Sequence, residues 1–312
     1  MKLLVAYDGS ACSEAALDDL VLAGLPESSE AYVISIAEVW LPIASSETAA
    51  TARADVAGAS RNTSLNKPVE VGNKVIAEAE VLANHAKRRI QRMFPSWSPT
   101  SEATHGSPAR AILERAAERD TDLIVVGSHG RSAISRLFLG SISQKVLTEA
   151  KCCVRVARGR IEIDPTPTRL IIGFDGSKGA QAAVSAVARR SWRQGTEIRV
   201  IVATSEVSPP TITRFVPPAA CKAPEISSLE RDSIEKLAVW SLDALHAKNV
   251  SATLHLYSGN PKEIIVEEAK NWNADCIFLG ANSFGSEGDS FALGSTAAAV
   301  AARATCSVEV VR

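Results

Sequence analysis

The chain has 312 residues, of which 46% are hydrophobic and 22% charged, and its formal net charge is −1. That is the length of two ordinary globular domains. The interspersed charge excludes a dedicated nucleic-acid binder, no apolar run is long enough to span a bilayer, and the six cysteines show neither a Cys-x-x-Cys pair nor a metal-like spacing with His. Neither nucleic acid, nor membrane, nor a protein-held metal is therefore expected. The opening MKLLVAYDGS imitates a secretory leader only briefly, because Asp8 interrupts its apolar run. The expectation is a cytoplasmic chain with reduced thiols.

In chain order, Leu3–Tyr7 is a short apolar run and predicts a strand, closed by the turn-forming Asp8-Gly9-Ser10. An Ala-rich helix follows from Ser13, then a strand over Ala31–Val39. Leu41–Val71 is rich in Ala, Ser, Thr and Asn and predicts a mobile loop before a long helix through Val75–Met93. A strand near Ser101–His105 precedes a helix opened by Pro108, which suits a first helical turn. DLIVV and Gly127 form the next strand, a helix starts at Ser141, and Val154–Ala157 closes the half. Pro165 and Pro167 stiffen a linker over 159–167, which separates units 1–158 and 168–312. Such alternation predicts an α/β fold with a parallel sheet covered on both faces.

The second half repeats the first. KLLVAYDGSACSEAAL matches RLIIGFDGSKGAQAAV, pairing Asp8 with Asp175, Gly9 with Gly176 and Ser10 with Ser177. HGSPARAILERAAERDTDLIVVG matches SGNPKEIIVEEAKNWNADCIFLG, pairing Pro108 with Pro261 and Gly127 with Gly280. LGSISQKVLTEAKCCVRVAR matches LGSTAAAVAARATCSVEVVR, pairing Cys152 with Cys306. Three separated blocks in the same order point to tandem duplication. Ser205–Glu225, which is Pro-rich, takes the place of the first loop.

The segment GSHGRSAISRLFLGS lies between a strand end and a helix start. A helix N-terminus presents free N–H groups and a partial positive charge, so it favours phosphate. Glycine lets the backbone come close to a ligand. The Ser141 hydroxyl can cap that helix or donate to a phosphate oxygen. The spacing is neither a Walker loop nor the Rossmann glycine fingerprint. With Gly127, Gly130, Gly140 and Ser141 it resembles the ATP-binding signature of the universal stress protein family: Gly, two residues, Gly, nine residues, Gly, then Ser or Thr. The resemblance covers nearly the whole chain, twice, and is weakest in the two loops.

That resemblance implies two doubly wound, Rossmann-like domains of the adenine nucleotide alpha hydrolase-like type, each a five-stranded parallel sheet in order 3-2-1-4-5. In such sheets ligands bind beyond the strand C-termini where strand order reverses, here between Asp8 and Gly127. By the resemblance Asp8 holds the ribose or adenine edge, Ala6 and Tyr7 line the entrance, and Ile36 and Val126 flank the adenine. Gly127, Gly130, Gly140 and Ser141 cradle phosphates, with Ile142 and Ser143 beside them and Arg131 and Arg136 facing the anion. Each residue also has a bland reading: Asp8 as a turn former, the apolar residues as core, the arginines as solvated loop. His129 is read as an exposed loop histidine, and Cys152 and Cys153 as packing residues.

The second half keeps Asp175, Gly280, Gly294 and Ser295 but departs elsewhere. Ser283 stands where the second glycine is expected, ten residues separate it from Gly294, and Glu287 and Asp289 replace the two arginines. A carboxylate about 8 Å from a phosphate costs roughly 2 kcal/mol at an effective dielectric near 20. The expectation is ATP, with or without Mg²⁺, bound mainly by the first half of a nucleotide-responsive regulator of the stress response. A slow ATP hydrolase, a self-phosphorylating protein and a ligand-free scaffold stay open, since no nucleophile and base are set for catalysis. The last strands of the halves, CVRVA and SVEVV, are expected to pair antiparallel within the chain as a pseudo-dimer, with Arg155 near Glu309 for a modest gain. Further homodimerisation is a second expectation.

Overall fold

A computed structural model describes residues 1–39, 63–130, 139–158, 167–204, 228–281 and 293–312. The first half contains strands β1 (Lys2–Ala6), β2 (Glu30–Ala37), β3 (Thr100–His105), β4 (Leu123–Gly127) and β5 (Cys153–Ala157). Between them run helices α1 (Ala11–Asp19), α2 (Thr63–Met93), α3 (Pro108–Glu118) and α4 (Ser141–Glu149). The second half repeats this as β6 (Arg169–Gly173), α5 (Lys178–Ala188), β7 (Glu197–Thr204), α6 (Ser228–His246), β8 (Ser251–Ser258), α7 (Pro261–Asn271), β9 (Cys276–Gly280), α8 (Ser295–Arg303) and β10 (Ser307–Val311). Among the described residues no helix is long and apolar enough to cross a membrane.

The strands form one sheet in the order β3-β2-β1-β4-β5-β10-β9-β6-β7-β8. Each half therefore has the expected 3-2-1-4-5 order, all parallel within itself. Both faces of the central strands are covered, so they read as continuous apolar runs rather than alternating ones. In β1, Leu4 packs toward Ile34, Ile112 and Val146 on one face, whereas Leu3 and Val5 pack toward Leu17, Leu20 and Ile90 on the other. The first of these cores runs on through Val154, Val156, Val308 and Val310 into the second half, joining Ile277 and Val300. On the opposite face each half keeps a core of its own.

β5 and β10 pair antiparallel, with Val154 opposite Val310, Val156 opposite Val308 and Arg155 opposite Glu309. The pairing is as expected, but the charges are more deeply engaged than a surface pair. Arg155 and Glu309 are both 0% exposed. Arg155 Nε donates to Asp19, its Nη2 reaches Asp19 Oδ1 at 3.1 Å, and its Nη1 reaches Glu309 Oε2 at 3.1 Å. Arg190 Nη1 donates to the same oxygen, at 2.9 Å from Glu309 Oε2, and its Nη2 donates to Oε1 on the other side of the acid. Four charges of alternating sign are thus closed into a buried chain. Removing one member leaves an unpaired buried charge, which is the costly outcome.

Helix α2 begins at Thr63, so Thr63–Val71, expected as loop, is helical. The polar, irregular composition of Leu41–Val71 suggested otherwise. The stretch after residue 75 is amphipathic and packs against β2 and β3, and adding turns to a helix already held in this way costs little. The remainder of that loop, the linker residues 159–166 and the Pro-rich 205–225 segment lie outside the described residues.

Candidate functional site

β1 delivers Asp8 to the carboxyl edge of the sheet, and Gly9 turns the chain with φ +77°. Asp8 Oδ1 accepts from the Ser10 N–H at 2.9 Å, an Asx turn. Ser10, not Asp8, caps α1, accepting from the Ser13 N–H at 3.2 Å. The carboxylate is left on the crevice side: a Cβ added to Gly130 would lie 3.2 Å from Asp8 Oδ2. The Asp8 and Gly130 positions, far apart in sequence, meet at one point.

β4 and α4 form the other wall. The Gly127 position is tight because a Cβ there would lie 2.7 Å from the Cys12 carbonyl carbon, so α1 crosses directly over it. Gly140 is the N-cap of α4, donates its N–H to Ser128 O at 2.8 Å, and supplies no side-chain cap. Ser141 is the first helical residue and is exposed, so its hydroxyl does not occupy the cap position. The Ser143 hydroxyl donates to Gly127 O at 2.6 Å and ties α4 to the end of β4. The first-turn N–H groups of α4 consequently have no side chain of the cap residue to satisfy them, which suits an anion.

Between these walls lies an open cleft of about 540 Å³. Ala6, Tyr7, Asp8 and Ile36 line it from β1 and β2, and Val126, Gly127, Gly130, Ile142 and Ser143 from the β4–α4 side. Gly140 and Ser141 sit at its α4 end without being among the lining residues. Arg131 and Arg136 lie outside the described residues. Ser13, Glu38, Pro108, Ile112 and His129 also line the cleft and were not expected there. Pro108 and Ile112 carry a sequence signal only as helix start and core; that α3 forms a wall follows from the sheet order. His129 is more enclosed than its loop position suggested. Its Nδ1 is 3.1 Å from Ser128 Oγ, and its Nε2 is buried with no hydrogen-bond partner among the described residues. Burial, reinforced by the Arg158 guanidinium, holds the imidazole below its ordinary pKa. Cys152 packs as expected, and burial raises its thiol to about 11.

The second half builds a similar cleft of about 500 Å³ lined by Asp175, Ile201, Leu279, Gly280, Thr296 and Ala297. Gly176 turns with φ +79°, Ser177 N–H donates to Asp175 Oδ1 at 3.0 Å, and Gly294 caps α8 as Gly140 caps α4, with Ser295 the first helical residue. Ala297 takes the place of Ser143, so the hydroxyl tie is lost. Ser283, Glu287 and Asp289 lie outside the described residues. Among the described residues no cluster of His, Cys, Asp or Glu could hold a metal.

The sequence model of the universal stress protein family matches residues 1–158 and again residues 167–312. The chain belongs to the universal stress protein family. Its matches include a universal stress protein of Mycobacterium tuberculosis, 28% identical over 138 residues, which are 44% of this chain and 45% of that one. The match thus spans under half the length of that relative. Universal stress protein YxiE of Bacillus subtilis is 30% identical over 157 residues, 50% of this chain and 98% of its own. The crystal structure of a universal stress protein from Archaeoglobus fulgidus superposes with a TM-score of 0.65 at 19% identity, covering 100% of this chain and 98% of that one. This last likeness extends the fold over both halves of this universal stress protein.

Proposed function

We propose that this universal stress protein is a nucleotide-responsive regulator acting in the cytoplasm, with units 1–158 and 168–312, and that the first unit binds ATP. Asp8 would accept from the ribose hydroxyls, Ile36 and Val126 would flank the base, and the glycine-capped start of α4 with Gly127, Gly130, Gly140 and Ser141 would face the phosphates. Arg131 would add positive charge there, and any Mg²⁺ would arrive with the nucleotide. The observation that carries the reading is the meeting of two complementary features in one cleft: the Asp8 carboxylate on one side and, on the other, an α4 N-terminus whose cap residue is a glycine. A carboxylate suits sugar hydroxyls, and free N–H groups suit phosphate.

Calorimetric titration with ATP tests it. One site per chain is expected, and Asp8→Ala and Gly130→Val should each abolish it. No heat of binding at millimolar ATP would remove the reading. The role proposed is binding, so ATP incubated for hours with purified protein should stay intact.

A further inference from the structure

The β5–β10 seam is built from two kinds of contact. One kind is the same in both directions. Arg158 Nη2 donates to Ala301 O at 2.6 Å and Ala302 O at 3.2 Å, at the end of α8. Arg312 Nη2 donates to Leu147 O at 2.6 Å, near the end of α4, and its Nη1 to Cys152 O at 3.4 Å. Arg158 and Arg312 are equivalent positions of the two repeats. The valine ladder across the seam is likewise symmetric. A pair of two first repeats, or of two second repeats, would retain the arginine bond to the Leu147 or Ala301 carbonyl, which are equivalent positions, and the valine ladder.

The other kind is asymmetric. Arg155 and Glu309 are equivalent positions, so the pseudo-twofold axis passes between them. Asp19, which grips Arg155, has Ala186 as its equivalent; Arg190, which grips Glu309, has Ala23. Each repeat thus carries its own internal ion pair, and the two pairs interlock because their polarity is opposite. Two first repeats joined by β5 would set Arg155 against Arg155 at a position 0% exposed. Two second repeats would set Glu309 against Glu309. Like charges brought together without solvent are a strong rejecting element.

We infer that this buried quartet selects the partner at the seam: the β5 edge of the first repeat accepts a repeat with an acid at the middle of its last strand, and each repeat rejects its own kind. The symmetric contacts supply affinity and the quartet supplies choice. The occupant of the β5 edge is accordingly the second repeat of this chain.

The test begins with the folded full-length protein, carrying a protease site within 159–166 and cut after folding, so that only the seam holds the two pieces. Light and heavy isotopic preparations of the cut protein are exchanged in mild urea that preserves the helical circular dichroism, then returned to buffer and weighed by native mass spectrometry. Mixed pairs should exceed like pairs by at least ~100-fold. The same protein with Asp19→Leu, Arg155→Met, Arg190→Met and Glu309→Leu should still pair, since an apolar set can replace a buried charge network, but like pairs should become comparable in number to mixed ones. Should that variant fail to fold, the near-isosteric Glu309→Gln takes its place, with the preference expected to fall at least about tenfold. Abundant like pairs in the unmodified protein, or an undiminished preference in whichever variant folds, overturns the inference.

Discussion

At the residue scale, glycines of one motif do different jobs. Gly127 is pressed against the backbone of Cys12, whereas the exposed Gly130 is close only to Asp8 Oδ2. Gly127→Ala should therefore destabilise the protein by about 1–3 kcal/mol in urea titrations without nucleotide. Gly130→Ala should change stability by no more than about 0.5 kcal/mol and act on ATP affinity instead. His129 gives a prediction in pH. Its folded-state pKa is below the ordinary 6.5, first because of burial and then because of Arg158. As pH falls through 6.5 the unfolded chain takes up a proton before the folded one does, so stability present above that pH is lost on acidification. Denaturation at pH 7.5 and pH 5.5 should show the loss, and His129→Gln should reduce it.

At the element scale, most of the architecture is visible in the sequence because each element is punctuated by chemistry. Asp-Gly-Ser turns end β1 and β6, and prolines open α3 and α7. Ser10→Ala and Ser177→Ala should each cost about 1 kcal/mol, since each hydroxyl accepts from a first-turn N–H. The extra turns of α2 were not legible: local composition there is polar, and helical continuation is imposed from the amphipathic stretch downstream. The α3 wall of the cleft was also hidden. Ile112 reads as core from periodicity, and only the placement of α3 against β1 and β2 brings it to the ligand side. His129 was missed because the burial of its Nε2 is a product of tertiary packing that the loop sequence does not show. The arginine ends of α4 and α8 were likewise invisible, since a terminal Arg carries no local sign of what it will cap. Arg312→Met should lower amide exchange protection at the end of α4, in the other half of the chain, while sparing the end of α8.

At the scale of the whole molecule, the apolar core that runs through both halves on one face predicts shared cooperativity. Heating should give a single calorimetric transition containing both repeats rather than two. Nucleotide occupancy should nevertheless be unequal, because the substituted glycine position and two acids of the second motif are local to it. Titration should find one strong ATP site, and Glu287→Arg with Asp289→Arg should raise affinity in the second half; two equal strong sites would refute the charge argument. The buried quartet has one more consequence, in time. β5 is complete at Ala157 and its partner β10 only at Val311. At synthesis rates of about 5–20 residues per second, the first repeat waits roughly 8–30 s with its last strand unpaired. An inward-facing charge in the middle of such an edge deters pairing with a neighbouring nascent chain. Arg155, held by Asp19 of its own repeat, keeps that edge from being taken by the first repeat of another ribosome's product until the acid it awaits has been made.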